Sequence, residues 1–254
     1  MERVTLTDQQ WERLAPLVSA ATRRGPPGRD DRRFIESIAW LLRTGAPWRD
    51  LPASFGKWST AFRRFRRWAL AGRWEALRQE LAREDGLAEL LLIDSTIVKA
   101  HPQAAGARRG GKDPALRRSR GGFTTKVHAA ASEKRKLIRY ILTGGQVGDL
   151  TQAESLVRGL RGLAVVGGKA YDSDLFLEAV VQQGMRAVIP SRSNRREQRF
   201  LDSTRYAIRN AIERFFGRLK LFRRVGTRYD KTATSFASSF ALAASLVSLS
   251  GWEA

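Results

Sequence analysis

Residues 90–98 read Leu-Leu-Leu-Ile-Asp-Ser-Thr-Ile-Val, an apolar run of the kind that forms a β-strand. Asp94 stands in the middle of this otherwise apolar run. A buried carboxylate without a partner is costly, so Asp94 should meet a cation, a metal ion or hydrogen-bond donors. The alternative interpretation is an aspartate at the end of the strand that bonds a turn.

The chain on the C-terminal side of this strand alternates between β-like and helical patterns. Further strands are predicted at residues 123–128, 137–142, 163–166 and 187–190. Helices are predicted at residues 150–160, 174–183, 205–222 and 232–249. Such alternation indicates an α/β layer. Between the first two strands lies a Gly- and Arg-rich segment, interpreted as a basic loop over residues 102–122.

Residues 1–86 instead show only helical periodicity and predict a small all-helical domain. Within it, residues 58–70 place apolar residues on one side of a helix and arginines on the other. Short helices with a cationic face often enter a DNA groove, although a solvated surface gives the same pattern. The arginines assigned to DNA contact are Arg63, Arg64, Arg66 and Arg67.

The composition favours a nucleic-acid partner. The 254 residues include 46 Lys and Arg against 25 Asp and Glu, a formal charge of +21 that attracts polyanions. A ribosomal or chromatin protein, or one that binds an anionic membrane, would be equally basic. The chain has no cysteine, and no apolar run approaches the length of a membrane span. The sequence therefore predicts a soluble, cytoplasmic, bacterial and nucleoid-associated protein.

Four polar residues in the predicted helix 205–222 share one helix face at 3.6 residues per turn. They are Tyr206, Arg209, Glu213 and Lys220. Taken alone, this face is also compatible with an ordinary network of ion pairs.

The spacing Tyr-x2-Arg-x3-Glu-x6-Lys resembles the signature of DDE transposases of the insertion-sequence five family, within the insertion-sequence four/five superfamily. The resemblance extends over almost the whole chain. Similar segments run from residues 6–8 through 40 and occur at residues 45–52, 58, 93–96, 121–128 and 187–192.

The resemblance implies a ribonuclease-H-like catalytic domain over residues 87–254, with a mixed five-stranded sheet and flanking helices. In this family three acids bind two divalent ions, Mg²⁺ or Mn²⁺, for DNA cleavage and strand transfer. Asp94 and Glu213 match the first and third acids. By the same resemblance, Tyr206, Arg209 and Lys220 are assigned to DNA binding. Lys126, which lies within the segment 121–128, is also assigned to DNA binding.

The chain departs from the family at the second acid. Residues 167–172 read Gly-Gly-Lys-Ala-Tyr-Asp, and Gly168 stands where the family has aspartate. Asp172 and Asp174 are the nearest alternatives, but both lie beyond the end of the strand. The expectation is therefore an insertion-sequence transposase that is inactive with glycine at this position. The alternative is a catalytically silent DNA-binding regulator of transposition.

The partners implied are double-stranded DNA, as terminal inverted repeats and as target, and a second copy in a synaptic homodimer. No membrane partner is expected. A basic structural protein of the ribosome or nucleoid would require the Tyr-Arg-Glu-Lys spacing to be accidental.

Overall fold

The computed structural model describes residues 6–20, 30–83, 88–105 and 113–249. The helices are α1 Asp8–Ala20, α2 Asp31–Thr44, α3 Trp58–Leu70, α4 Arg73–Arg83, α5 Pro102–Ala105, α6 Leu150–Val157, α7 Asp174–Gln182, α8 Ser203–Ala207, α9 Asn210–Leu221, α10 Arg223–Gly226 and α11 Ala233–Ser248. The strands are β1 Leu90–Ala100, β2 Arg117–Ser119, β3 Gly122–Ser132, β4 Leu137–Gly144, β5 Ala164–Gly167, β6 Arg186–Val188 and β7 Thr227–Arg228.

The chain divides into two compact units that are not contiguous in sequence. Unit 1 comprises Met1–Leu81, Ala100–Gly110 and Arg218–Ala254, and unit 2 comprises Ala82–Lys99 and Gly111–Gly217. These units differ from the single boundary between residues 86 and 87 that the sequence predicts. The difference arises because the C-terminal helix α11 packs on α2 and α3 and buries most of its apolar residues there.

Unit 1 is helical around an aromatic core. The Trp68 and Trp74 rings are buried with centroids 4.9 Å apart, and the Phe34 centroid lies 5.4 Å from that of Trp68. Helix α2 ends at Thr44 and is capped by Gly45, whose φ of 70° strongly favours glycine. The N-terminal helices predicted from apolar periodicity are confirmed.

Unit 2 is built on a mixed sheet. Strand β1 is central and pairs antiparallel with β3 and parallel with β5. Beyond these neighbours, β4 pairs antiparallel with β3, and β6 pairs parallel with β5. Helices α6 and α7 pack against each other, and apolar residues of both join the core formed with β1, β3 and β5. The mixed sheet with flanking helices, preceded by a helical segment, confirms the predicted fold class. Among the described residues this sheet has seven strands instead of the predicted five, because the short strands β2 and β7 add to it.

The described part of the predicted basic loop 102–122 contains regular structure. Residues 102–105 form α5, and β2 pairs with β3 from Arg117↔Thr124 to Ser119↔Gly122. A tight hairpin forms here because Gly122 adopts a φ of 96°. Residues 106–112 of the predicted loop lie outside the described residues.

The predicted helix 205–222 is broken. Helix α8 ends at Ala207 and α9 begins at Asn210, so Ile208 and Arg209 form a turn. The N–H of Arg209 donates to the carbonyl of Tyr206 at 3.0 Å, three residues back, which tightens the chain beyond α-helical geometry. The prediction of one continuous helix over residues 205–222, with the four signature residues on a single face, is therefore wrong.

None of the helices in the described ranges is both long and apolar enough to cross a membrane.

Candidate active site

Asp94 lies where β1 changes from a buried to a partly exposed strand. Residues 90–93 are buried, and the Asp94 side chain is 20% exposed. Burial raises the pKa of Asp94, while the N–H of Ser95 and the charge of Arg209 oppose this rise. The prediction that Asp94 meets a cation is confirmed, because Arg209 lies within hydrogen-bond distance.

The Arg209 guanidinium joins two of the predicted catalytic acids. Its Nη2 donates to Asp94 Oδ2 at 3.0 Å, and its Nη1 donates to Glu213 Oε1 at 2.6 Å. Asp94 and Glu213 are 119 residues apart in sequence (213 minus 94) but share this one cation. The turn between α8 and α9 places Arg209 in this position.

Gly168, the third predicted position, faces the same guanidinium. A Cβ atom added to Gly168 would lie 3.5 Å from Nη2 and 3.6 Å from Nε of Arg209. This Nε is buried and has no hydrogen-bond partner among the described residues. The φ of −75° and ψ of 168° at Gly168 are open to any residue. The three predicted acid positions therefore surround one guanidinium, and the backbone does not require glycine at position 168.

The alternative acids Asp172 and Asp174 are engaged elsewhere. Arg195 Nε donates to Asp172 Oδ2 at 2.8 Å, and Arg199 Nη1 donates to Asp172 Oδ1 at 2.6 Å. The same two arginines also pair with Asp174. Both carboxylates thus belong to a network that joins the start of α7 to the segment after β6.

Asp149 is a neighbour of the site that the sequence did not reveal. It is the residue that precedes α6, but its side chain makes no capping hydrogen bond. Its Oδ1 instead accepts from Ser95 Oγ at 2.7 Å and from Lys126 Nζ at 2.9 Å. Burial raises the pKa of Asp149, but the hydrogen bonds from Lys126 and Ser95 outweigh burial, so this pKa is lowered. Lys126, assigned to DNA binding, is thereby held in an ion pair with its side chain 12% exposed.

Of the remaining residues of the signature, Tyr206 interacts electrostatically with Arg209. Tyr206 is half-buried on α8, and Lys220 is exposed on the part of α9 that belongs to unit 1. Asp94, Gly168, Arg209 and Glu213 all belong to unit 2, where the structure brings them together.

Helix α3 in unit 1 presents a cationic groove. Arg63, Arg66 and Arg67 are exposed and line a shallow cavity of about 440 Å³ whose apolar lining includes Phe62 and Leu70. Arg64 differs from these three, because it pairs with Asp31 and its guanidinium lies 4.1 Å from the Phe34 ring centroid. Three of the four predicted arginines therefore face outward.

We expect Arg64→Ala to lower the free energy of unfolding by about 1–2 kcal/mol, because it removes a half-buried ion pair and a cation–π contact. Exposed Arg67 on the same helix is the matched control, and Arg67→Ala should change stability by less than about 0.5 kcal/mol. Urea unfolding of both variants measures the difference. Equal effects would show that Arg64 has no special structural role.

Several known proteins are similar to this chain over parts of its length. "Uncharacterized protein y4sN" of Sinorhizobium fredii is 45% identical over 113 residues, covering 43% of this chain and 89% of that protein. "Putative transposase for insertion sequence element IS6501" of Brucella ovis is 36% identical over 128 residues, covering 49% and 98%. An uncharacterized 16.2 kDa protein of insertion element IS402 from Burkholderia cepacia is 32% identical over 129 residues, covering 46% and 86%.

Among solved structures, the piggyBac transposase in a synaptic complex with hairpin DNA matches 76% of this chain with 11% identity and a TM-score of 0.41. This chain spans half the length of that protein.

Two family models match the chain in succession. Residues 6–78 match "Putative transposase of IS4/5 family", and residues 85–247 match "Transposase DDE domain". The second match alone covers more than half of the chain and includes Asp94, Gly168, Arg209 and Glu213. The protein belongs to the IS4/5 family of transposases and carries their DDE domain.

Proposed function

We propose that this chain binds the terminal inverted repeats of an insertion sequence and carries a site for metal-dependent DNA cleavage and strand transfer that Gly168 leaves inactive. The convergence of Asp94, Gly168 and Glu213 on the Arg209 guanidinium is the observation that supports this function most strongly. Two acids from distant parts of the chain that share one cation, with a third position of the site beside them, are typical of a site that handles phosphate and metal charge.

The residues present fit a divalent ion in part. Asp94 and Glu213 offer hard carboxylate oxygens that converge on a single cation, which suits Mg²⁺ or Mn²⁺. Within the described ranges, no three His, Cys, Asp or Glu side chains form a group that could hold a metal ion. Asp94 and Glu213 would hold one ion, and a full pair of ions requires the missing acid.

Two divalent ions, held by Asp94, Glu213 and an acid at position 168, would supply activation of a water or a 3′-hydroxyl and stabilisation of the leaving oxygen in an in-line phosphoryl displacement. The protein's own residues hold the DNA for this step. Arg209 pairs with a backbone phosphate, while Tyr206 and Lys220 steady the transposon end by ring contact and charge. Lys126, paired with Asp149 beside Ser95, supports the strand that carries Asp94.

DNA binding is assigned to the cationic groove of α3 and to the overall charge of +21. The partners are double-stranded inverted repeats and target DNA, with a homodimer that pairs two ends in a synaptic complex. Transposases act on chromosomal DNA, so we place the protein in the bacterial cytoplasm at the nucleoid.

We expect Arg66→Ala/Arg67→Ala to weaken binding to a terminal-repeat duplex by about tenfold or more and to reduce the salt slope by about 2, because each arginine neutralises one phosphate. Fluorescence anisotropy over a range of salt concentrations measures both quantities.

The control is Arg161→Ala, which removes one exposed arginine near the start of β5, the strand end opposite Gly168. This variant should bind nearly as well as the parent. Equal affinity of the parent for repeat and scrambled duplexes would instead indicate a basic protein without end recognition.

Gly168 also supports a second function, that of a catalytically silent regulator that occupies transposon ends and blocks an active transposase. The two functions share DNA binding and differ in whether the chain itself cleaves.

A further inference from the structure

We propose that Arg209 is a counter-ion that couples divalent-metal binding at Asp94 and Glu213 to the presence of DNA. Without DNA the guanidinium pairs with both carboxylates and opposes the entry of a metal ion. When a DNA phosphate draws the guanidinium away, the carboxylate oxygens become available to the ion. This inference rests on the proposed function, since DNA phosphate is the competing anion.

The hydrogen bonds of Arg209 are suited to exchange. Its two terminal nitrogens bond two different carboxylates, one hydrogen bond each, instead of forming a two-bond fork with a single partner. Its Nε has no partner among the described residues. When the Arg209 side chain moves, it breaks only one hydrogen bond to each carboxylate. A guanidinium that binds one carboxylate through two hydrogen bonds would have to break both of them.

The position of Arg209 allows the side chain to move without unfolding a helix. Arg209 lies in the two-residue turn between α8 and α9. Its side chain is 21% exposed, and that of Glu213 is 52% exposed, so one side of the contact faces solvent. A phosphate group can therefore approach the guanidinium while the backbone stays in place.

Electrostatic repulsion between the Arg209 guanidinium and a divalent ion couples metal binding to the position of Arg209. The Asp94 and Glu213 oxygens bonded by Arg209 lie within 3.0 Å of it, and a divalent ion on those oxygens would be repelled by the guanidinium. Asp149 does not take the guanidinium, because its described partners are Ser95 and Lys126. If DNA strengthens metal binding through Arg209, the metal must strengthen DNA binding by the same factor.

The coupling is tested by measuring Mn²⁺ affinity on the full chain, using the paramagnetic resonance signal of free Mn²⁺. Without DNA, Arg209→Gln should bind Mn²⁺ about tenfold or more tightly than the parent, because a positive charge beside the two carboxylates is gone. Adding a terminal-repeat duplex should tighten Mn²⁺ binding by the parent and have little effect on the variant.

Arg205→Gln is the matched control, because Arg205 carries the same charge on α8 but pairs with Asp202. It should leave Mn²⁺ affinity unchanged. Adding Glu213→Gln to Arg209→Gln should remove the gain, which places the ion at these acids. Arg209→Lys, which retains one cation, should lie between the parent and Arg209→Gln.

The proposal is overturned if Arg209→Gln folds, as judged by its thermal unfolding, and binds Mn²⁺ no more tightly than the parent without DNA. It is also overturned if Arg205→Gln gives the same gain, since net charge alone would then explain it. Because these comparisons contain no DNA, they remain decisive even if the chain shows no preference for transposon ends, a result that would count against the proposed function alone.

Discussion

Replacing Gly168 by aspartate should raise the rate of DNA strand cleavage by about a hundredfold or more, because a missing acid in a concerted metal site removes several kcal/mol of transition-state stabilisation. The position accepts the change, since the backbone is extended and an added Cβ makes ordinary contacts with Arg209. The new carboxylate also gives the buried Nε of Arg209 an acceptor. The measurement is cleavage of labelled terminal-repeat duplex in Mg²⁺ and in Mn²⁺.

Gly168→Asn is the matched control, because asparagine has the shape of aspartate without its charge. It should remain as inactive as the parent. Cleavage by the parent chain would rule out the silent regulator. Absence of cleavage by both the parent and Gly168→Asp would show that position 168 is not the second acid.

Replacing Asp172 by alanine should lower the free energy of unfolding by about 3 kcal/mol. The change removes a buried carboxylate, and Arg195 and Arg199 lose their ion pairs with it. The backbone N–H of Arg192 loses its acceptor as well. Urea unfolding at pH 7 measures the loss. Asp174→Asn is the control: Asp174 pairs with the same arginines but is 64% exposed, so the change should cost less than about 1 kcal/mol.

The contribution of Asp172 should also depend on pH. Burial raises the pKa of Asp172, but hydrogen bonds from Arg195, Arg192 and Arg199 outweigh burial and lower this pKa to about 2. A carboxyl group with a lowered folded-state pKa stabilises the fold above its unfolded pKa and loses that contribution as the pH falls. The stability difference between parent and Asp172→Ala should therefore be full at pH 7 and shrink between about pH 4 and pH 2. A difference that is constant over this range would contradict the ionic role.

The central strand and the positions of the acids can be predicted from sequence for physical reasons. The apolar residues 90–93 can only be buried, and an aspartate that follows them must find a partner. The Tyr-Arg-Glu-Lys spacing around Glu213 and the glycine at position 168 can be read directly from the residue types, without any knowledge of the fold. Only the structure shows that Asp94 and Glu213 both bond to the Arg209 guanidinium.

Other features depend on contacts that sequence patterns do not contain. The break at Ile208 and Arg209 has no glycine or proline to mark it. Asp149 has the sequence context of a helix cap, yet its partners Ser95 and Lys126 lie on strands β1 and β3, which are distant in sequence. Helix α11 joins unit 1 because its apolar surface packs there, and periodicity does not reveal the neighbour of such a helix.

The most direct test of the account is to locate Mn²⁺ by anomalous scattering in crystals of the chain and of Gly168→Asp, each grown with terminal-repeat DNA. We predict at most one ion between Asp94 and Glu213 in the parent chain and two ions in the variant. Two ions in the parent chain, or none beside these acids in the variant, would contradict the assignment of the site.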